Sequence, residues 1–178
     1  MIDINERTHE KEVNHFIESC KAFELFSVGF IVICALWSLV LAAKAILTAA
    51  GIITNNEMSV IAVIGNNACD IVRFVGIGIA LKHGAAIFHK LKSGETPFQY
   101  DIGDKIKAAG FILILTNLIC NCIYLTFTIL YASGIIADNI YEGTLGDGYL
   151  CFLGALLCIF SYIFNYGCKL QQESDETL

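Results

Sequence analysis

Residues 108–130 read "AAGFILILTNLICNCIYLTFTIL", a run of 23 residues without one charged side chain. A helix rises about 1.5 Å per residue and the hydrocarbon core of a bilayer is about 30 Å thick, so about 20 apolar residues cross it. Inside lipid every backbone N–H and C=O must find its partner within the protein, and a helix does this within one segment. The run therefore predicts a membrane-spanning helix.

Working outward, three more stretches have this character. We place spans at 26–47, 69–88, 108–130 and 149–166. The whole chain agrees with them: 56% of its 178 residues are hydrophobic and 16% charged, against about 45–50% and about 25% in a soluble domain. The second span is the least sharply bounded. Asp70 and Arg73 would each cost about 2.5–3.5 kcal/mol at mid-bilayer, so we set them at its outer boundary. Residues 59–65 then form an outer interfacial segment; the alternative, a span at about 60–81, would bury Asn66, Asn67, Asp70 and Arg73 and is the basis of a transporter reading.

Residues 1–25 form a polar N-terminal segment. Val13, Phe16, Ile17, Cys20 and Phe23 recur at helical spacing opposite Glu10, Glu12, Glu18 and Lys21, predicting an amphipathic helix that leads into the first span. The charged start and the late apolar run argue against a cleaved signal peptide. Between the second and third spans lies "HKLKSGETPFQYDIGDKIK" (89–107), which holds the single proline, Pro97. Gly94 suits a helix end. Thr96, Pro97 and Gln99 suit the cap, first and third positions of the next helix, with Asp101 as a competing cap.

Lys and Arg in short loops orient a membrane protein. Arg7, Lys11 and Lys21 precede the first span, Lys90, Lys92, Lys105 and Lys107 flank the central turn, and Lys169 follows the last span. The other two connections contain no Lys or Arg. The expectation is an all-α, integral membrane four-helix bundle in the plasma membrane, both termini cytoplasmic. The spanning domain covers 26–170, and an acidic tail, 171–178, lies in the cytosol.

Motifs for chemistry are sparse. Of eight cysteines, Cys34, Cys120, Cys122, Cys151 and Cys158 sit inside apolar runs, where a thiol behaves as a small hydrophobe. Cys120 and Cys122 point about 200° apart on a helix and make a poor metal clamp. Neither a phosphate loop, a nucleophile elbow nor a histidine–carboxylate set is present, so we expect no enzyme, no metal and no cofactor. The net charge of −6 argues against direct nucleic-acid binding. Polar residues within the apolar stretches are candidates for interhelical bonds or a polar ligand site: Asp70 with Arg73, Asn117 with Asn121, and Asn165 with Thr116. Gly76, Ala80 and Gly84 form a row of small residues that allows close helix approach.

Two strings carry a resemblance. "KLKSGETPFQYDIGDKIKAAG" (90–110) and "GCKLQQESDETL" (167–178) resemble the central junction and the C-terminal ending of a bacterial family of small four-span membrane proteins, the YoaS-like family. The likeness covers roughly Cys69 to Leu178. Gln99 stands where that family has a small hydroxyl residue, and the N-terminal extension here is longer. Members are often encoded beside an Xre-type helix-turn-helix regulator. The resemblance therefore implies a membrane-embedded regulatory or sensor protein working with a cytosolic transcription regulator. Candidate contacts are Leu170, Glu173, Asp175 and Glu176 in the tail, and Pro97 and Phe98 in the turn. A small transporter or transporter subunit, and an immunity or stress-protection protein, are the alternative classes. Homo-oligomer formation is left open by the small-residue row.

The orientation is testable by reporter fusions. Fusions after Asn56 and Asp147 are expected to report the outside, and one after Gly94 the cytoplasm. Asn56 and Gly94 reporting from one side would end the four-span topology.

Overall fold

The computed structural model describes residues 4–52, 59–93, 100–136 and 148–176, with side chains of the first helix from Val13 and of the third from Asp101. Among them the chain forms four helices and no strand: α1 (Ile4–Ala49), α2 (Val60–Lys92), α3 (Tyr100–Ala132) and α4 (Gly148–Glu176). All four are long and apolar enough to cross a membrane. The central junction 94–99, with Pro97 and Phe98, and the loop positions Asn56 and Asp147 lie outside the described residues.

Helix ends follow from local chemistry. Ser59 caps α2, its side chain accepting from the Ala62 N–H at 3.4 Å. α1 and α3 stop in the same way. Gly51 and Gly134 both take φ 71°, and Ile52 N–H and Ile135 N–H bond back to Leu47 O and Leu130 O. This is the Schellman stop, which needs a left-handed residue that glycine adopts without a Cβ clash. Two boundaries expected from the sequence are not marked by any break. α1 runs unbroken through residues 25 and 26, and residues 60–65 are the first turns of α2. Asp101 is already inside α3 and does not cap it.

The helices pack antiparallel in chain order, α1 on α2, α2 on α3 and α3 on α4. Between spans there is little hydrophobic drive, because lipid is as apolar as leucine; close fit and polar contacts hold such helices together. The small residues are where that fit occurs. A Cβ on Gly76 would lie 2.0 Å from Thr116 Oγ1, so this glycine makes room for α3 of the same chain. Ala80 is buried with Ala109, Leu113 and Leu150. Gly84, the third of the row, meets nothing within 4 Å of an added Cβ and instead borders a cavity of about 420 Å³ that all four helices line.

At the α3–α4 contact, backbone meets backbone. A Cβ on Gly110 would stand 2.6 Å from Gly154 O, and one on Gly154 2.6 Å from Gly110 O. Toward the basic end, Ser161 Oγ donates to Gly103 O at 2.8 Å, and Asn165 Oδ1 fills the space a Cβ of Gly103 would need. These contacts set a large stagger. With Gly154 opposite Gly110, Gly148 stands level with Thr116, halfway along α3. At the other end, with Asn165 at Gly103, residues 169–176 of α4 run past the first turn of α3 by about 12 Å.

Gly110→Ala and Gly154→Ala are each expected to lower stability by about 1–3 kcal/mol through overpacking against backbone. Gly84→Ala is expected to raise it by roughly 0.5–1 kcal/mol, since the added methyl meets open space and glycine is costly in a helix. Reversible unfolding in mixed micelles measures both. Equal stability of the Gly110 and Gly84 variants would refute the backbone seam.

Candidate functional site

The charged residues gather where α1 and α4 project beyond the bundle. Glu24 of α1 reaches the end of α2: its Oε1 is 2.9 Å from His89 Nδ1, and Lys92 Nζ donates to its Oε2 at 3.1 Å. Phe23, beside it, stacks on Phe88 with ring centroids 5.3 Å apart. Across the next helix pair, Lys90 of α2 and Lys105 of α3 both bond the same oxygen of Asp101. Lys107 lies over the Tyr162 ring of α4, 5.3 Å from its centroid. Each neighbouring pair of helices is thus clasped at one end by a charge contact that leaves both partners accessible to water.

These clasps shift the carboxylates. Both lie just outside the 26–47 and 108–130 stretches. His89, then Lys92, hold the Glu24 carboxyl below its usual value. Lys105, then Lys90, hold Asp101 down to about 2.

Past this ring of charge, α4 continues as helix through Glu176. Cys168 is its last buried residue, and every residue from Lys169 to Glu176 is exposed. Tyr166, Leu170, Glu173 and Glu176 share one helical face by their spacing. Tyr166 is 64% and Leu170 49% exposed, so an apolar stripe leads into a carboxylate pair. Lys169 Nζ lies 3.9 Å from Glu173, and Gln172 Nε2 donates to Glu176 Oε1 at 3.4 Å. A Lys placed N-terminal to its Glu is the weaker order for such a pair, and acidic groups at a helix C-terminus oppose the macrodipole. The carboxylates therefore contribute little to the helix that carries them. Asp175 is exposed on the neighbouring face.

Of the polar candidates within the apolar stretches, Asp70 and Arg73 pair as their spacing allows, while the others are not brought together across helices. Arg73 Nη1 donates to Asp70 Oδ1 at 3.1 Å, along a single helix. Asn117 is buried while Asn121, one turn on, is exposed; the stagger explains this, because α4 begins at their level and leaves the rest of that α3 face bare. The expected bond between Asn165 and Thr116 is not made. Thr116 Oγ1 donates to Ile112 O at 2.7 Å, and Asn165 lies at Gly103, thirteen residues along α3, or about 20 Å at the helical rise. Asn67, one of the residues behind the transporter alternative, is 4% exposed with Nδ2 lacking an acceptor.

Sequence reasoning also missed the α3–α4 seam. Its signal was present: Gly154, Cys158, Ser161 and Asn165 are small or polar at 4–3–4 spacing, facing Gly103 and Gly110. All eight cysteines are free thiols. Among the described residues no cluster of three or more His, Cys, Asp or Glu side chains could hold a metal ion. The class that fold and composition define is a four-helix membrane-protein bundle with a charged end. No protein-family model, curated protein or solved structure matches this chain significantly.

Asp101→Asn is expected to loosen the α2–α3 end, read as faster amide exchange in residues 90–93 and 101–105. The folded carboxyl is lowered, so its contribution is present above the ordinary value of 3.8 and fades as pH falls toward about 2. Wild type brought below pH 2 should match the variant there, and a variant with unchanged exchange at neutral pH would show the clasp idle.

Proposed function

We propose that this is a membrane-embedded regulatory protein of the YoaS-like kind, which holds a cytosolic helix-turn-helix transcription regulator through the acidic end of α4. The reading takes the basic end as cytoplasmic, following the distribution of Lys and Arg. The observation that carries it is the unbroken course of α4 through Glu176, beyond the start of α3, with Leu170 exposed beside Glu173 and Glu176. A DNA-binding regulator carries basic surface for phosphate. A rigid acidic helix with an apolar anchor is suited to compete for that surface. Holding the carboxylates on a formed helix also spares the cost of ordering a loose tail on binding. We read the chain as a binding protein, in keeping with the scarcity of catalytic motifs in its sequence.

The transporter alternative draws less support from the two cavities described. Its motive was Asp70, Arg73, Asn66 and Asn67 around an aqueous path. Neither the 420 Å³ cavity nor the groove of about 580 Å³ between α1 and α2 includes any of the four, and both have apolar linings apart from Tyr149, Ser38 and Lys82.

The test is a variant carrying Glu173→Gln, Asp175→Asn and Glu176→Gln. It should insert normally yet fail to co-purify the Xre-type regulator expressed with it. Recovery by wild type should fall with salt, as the screening length drops from about 10 Å at 0.1 M to about 3 Å at 1 M. Equal recovery by variant and wild type at low salt would overturn the role of the tail.

A further inference from the structure

The groove between α1 and α2 has a built-in polarity. Small residues form its floor: Cys34, Ala35, Ser38 and Ala42 of α1 and Gly78 of α2. Their spacing along α1, at i, i+1, i+4 and i+8, keeps one stripe of that helix low. Gly78 faces it with nothing nearer to an added Cβ than Cys34 Cβ at 3.7 Å. Larger side chains wall the groove, and Leu39 and Val75 at its edge are 67% and 47% exposed. Its volume is about 580 Å³, within the range of roughly 300–1,000 Å³ of small-molecule sites.

At one end the lining includes a single charged residue, Lys82, which is exposed and makes no ion pair among the described residues. Lys82 lies toward the end that carries Lys90 and Lys92. From Ile71 to Lys82 the groove follows eleven residues of α2, about 16 Å at the helical rise. Half of the hydrocarbon core is about 15 Å. The groove is apolar along its length and cationic at the end nearest the ring of charge; with the span at 69–88, Lys82 stands about 9 Å inside the basic-side boundary, and the floor continues from there across the midplane.

We propose that this groove is a binding site for an anionic phospholipid of the leaflet on the basic side. One acyl chain lies along the small-residue floor, and the phosphate pairs with the Lys82 ammonium. A lone lysine within an apolar span extends its head toward the interface, where lipid phosphate is the available anion. The bulk bilayer offers acyl chains everywhere, so what distinguishes this site is the charge at its end and the depth of its floor. The inference is independent of the tail's partner and rests only on α1 and α2 crossing the bilayer.

Native mass spectrometry of the full chain, with phosphatidylglycerol and phosphatidylcholine of the same acyl composition, tests it. Wild type should retain phosphatidylglycerol over phosphatidylcholine by about fivefold, as expected for roughly one charge at such a surface. Lys82→Gln should abolish the preference, Lys82→Arg should keep it, and Lys92→Gln should leave it unchanged. Gly78→Leu, which fills the floor, should reduce retention of both lipids. Helicity and melting temperature of each variant establish that it is folded. A preference that survives Lys82→Gln, or that disappears equally with Lys92→Gln, would overturn the site. Should Gly78→Leu fail to fold, Ser38→Leu fills the same floor from α1, and full retention by that variant would overturn it as well.

Discussion

The arrangement of this molecule depends on one contact, the approach of α3 and α4 backbones at Gly110 and Gly154. Between lipid-bathed helices close packing is the main attraction available, and it is greatest where no side chain separates the backbones. Two glycines facing each other provide that at one register and no other. Ser161 and Asn165 then meet Gly103, because they follow Gly154 on the same face of α4. Asn165 Oδ1 has no conventional donor there; a Cα–H of Gly103 is the contact the geometry offers, a weak one.

The stagger follows from that register. Since Gly148 begins level with Thr116, α4 covers only the half of α3 nearer the basic end, and the remainder of its length is displaced outward beyond that end. The acidic tail projects as formed helix for this reason, and Asn121, on the line of α3 that α4 follows lower down, is left exposed. On the other side of the molecule α1 also runs past the end of α2, beyond the Glu24 contact with Lys92. Two helical prongs thus leave the same end of the bundle, from a ring of ion pairs that ties α1 to α2 and α2 to α3. Exposed pairs of this kind are individually worth little. Their role is to fix the level at which the helix ends meet, while packing supplies the attraction.

Much of this architecture was legible in the chain. Lipid admits only helices and closed barrels, and an unbroken apolar run of 23 residues is far longer than the roughly 9–11 of a spanning strand, so 108–130 announced a helix by composition and length. Gly51 and Gly134 follow apolar runs and stop them, as a residue free to take positive φ should. The candidate site was partly legible: Leu170, Glu173 and Glu176 share a helical face if the helix continues, which is simple periodicity. Whether it continues was not legible, because acidic residues at a helix end oppose the dipole and three-residue spacing says nothing about where a helix stops.

The sequence by itself determined the number and length of the apolar segments, the concentration of basic residues around 89–107, and the acidic character of the last residues, because each depends only on side-chain type and local spacing. Tertiary structure alone decided the register between helices. It matched Gly76 to Thr116 and Gly110 to Gly154, separated Asn165 from Thr116, and left Gly84 bordering a void while its neighbours in the same row are packed. The physical reason is that a span of uniform greasiness fits its neighbour almost equally well at many heights. Only the few points where backbones touch or a buried hydroxyl finds a carbonyl distinguish one height from another, and those are pairwise properties that no single segment carries.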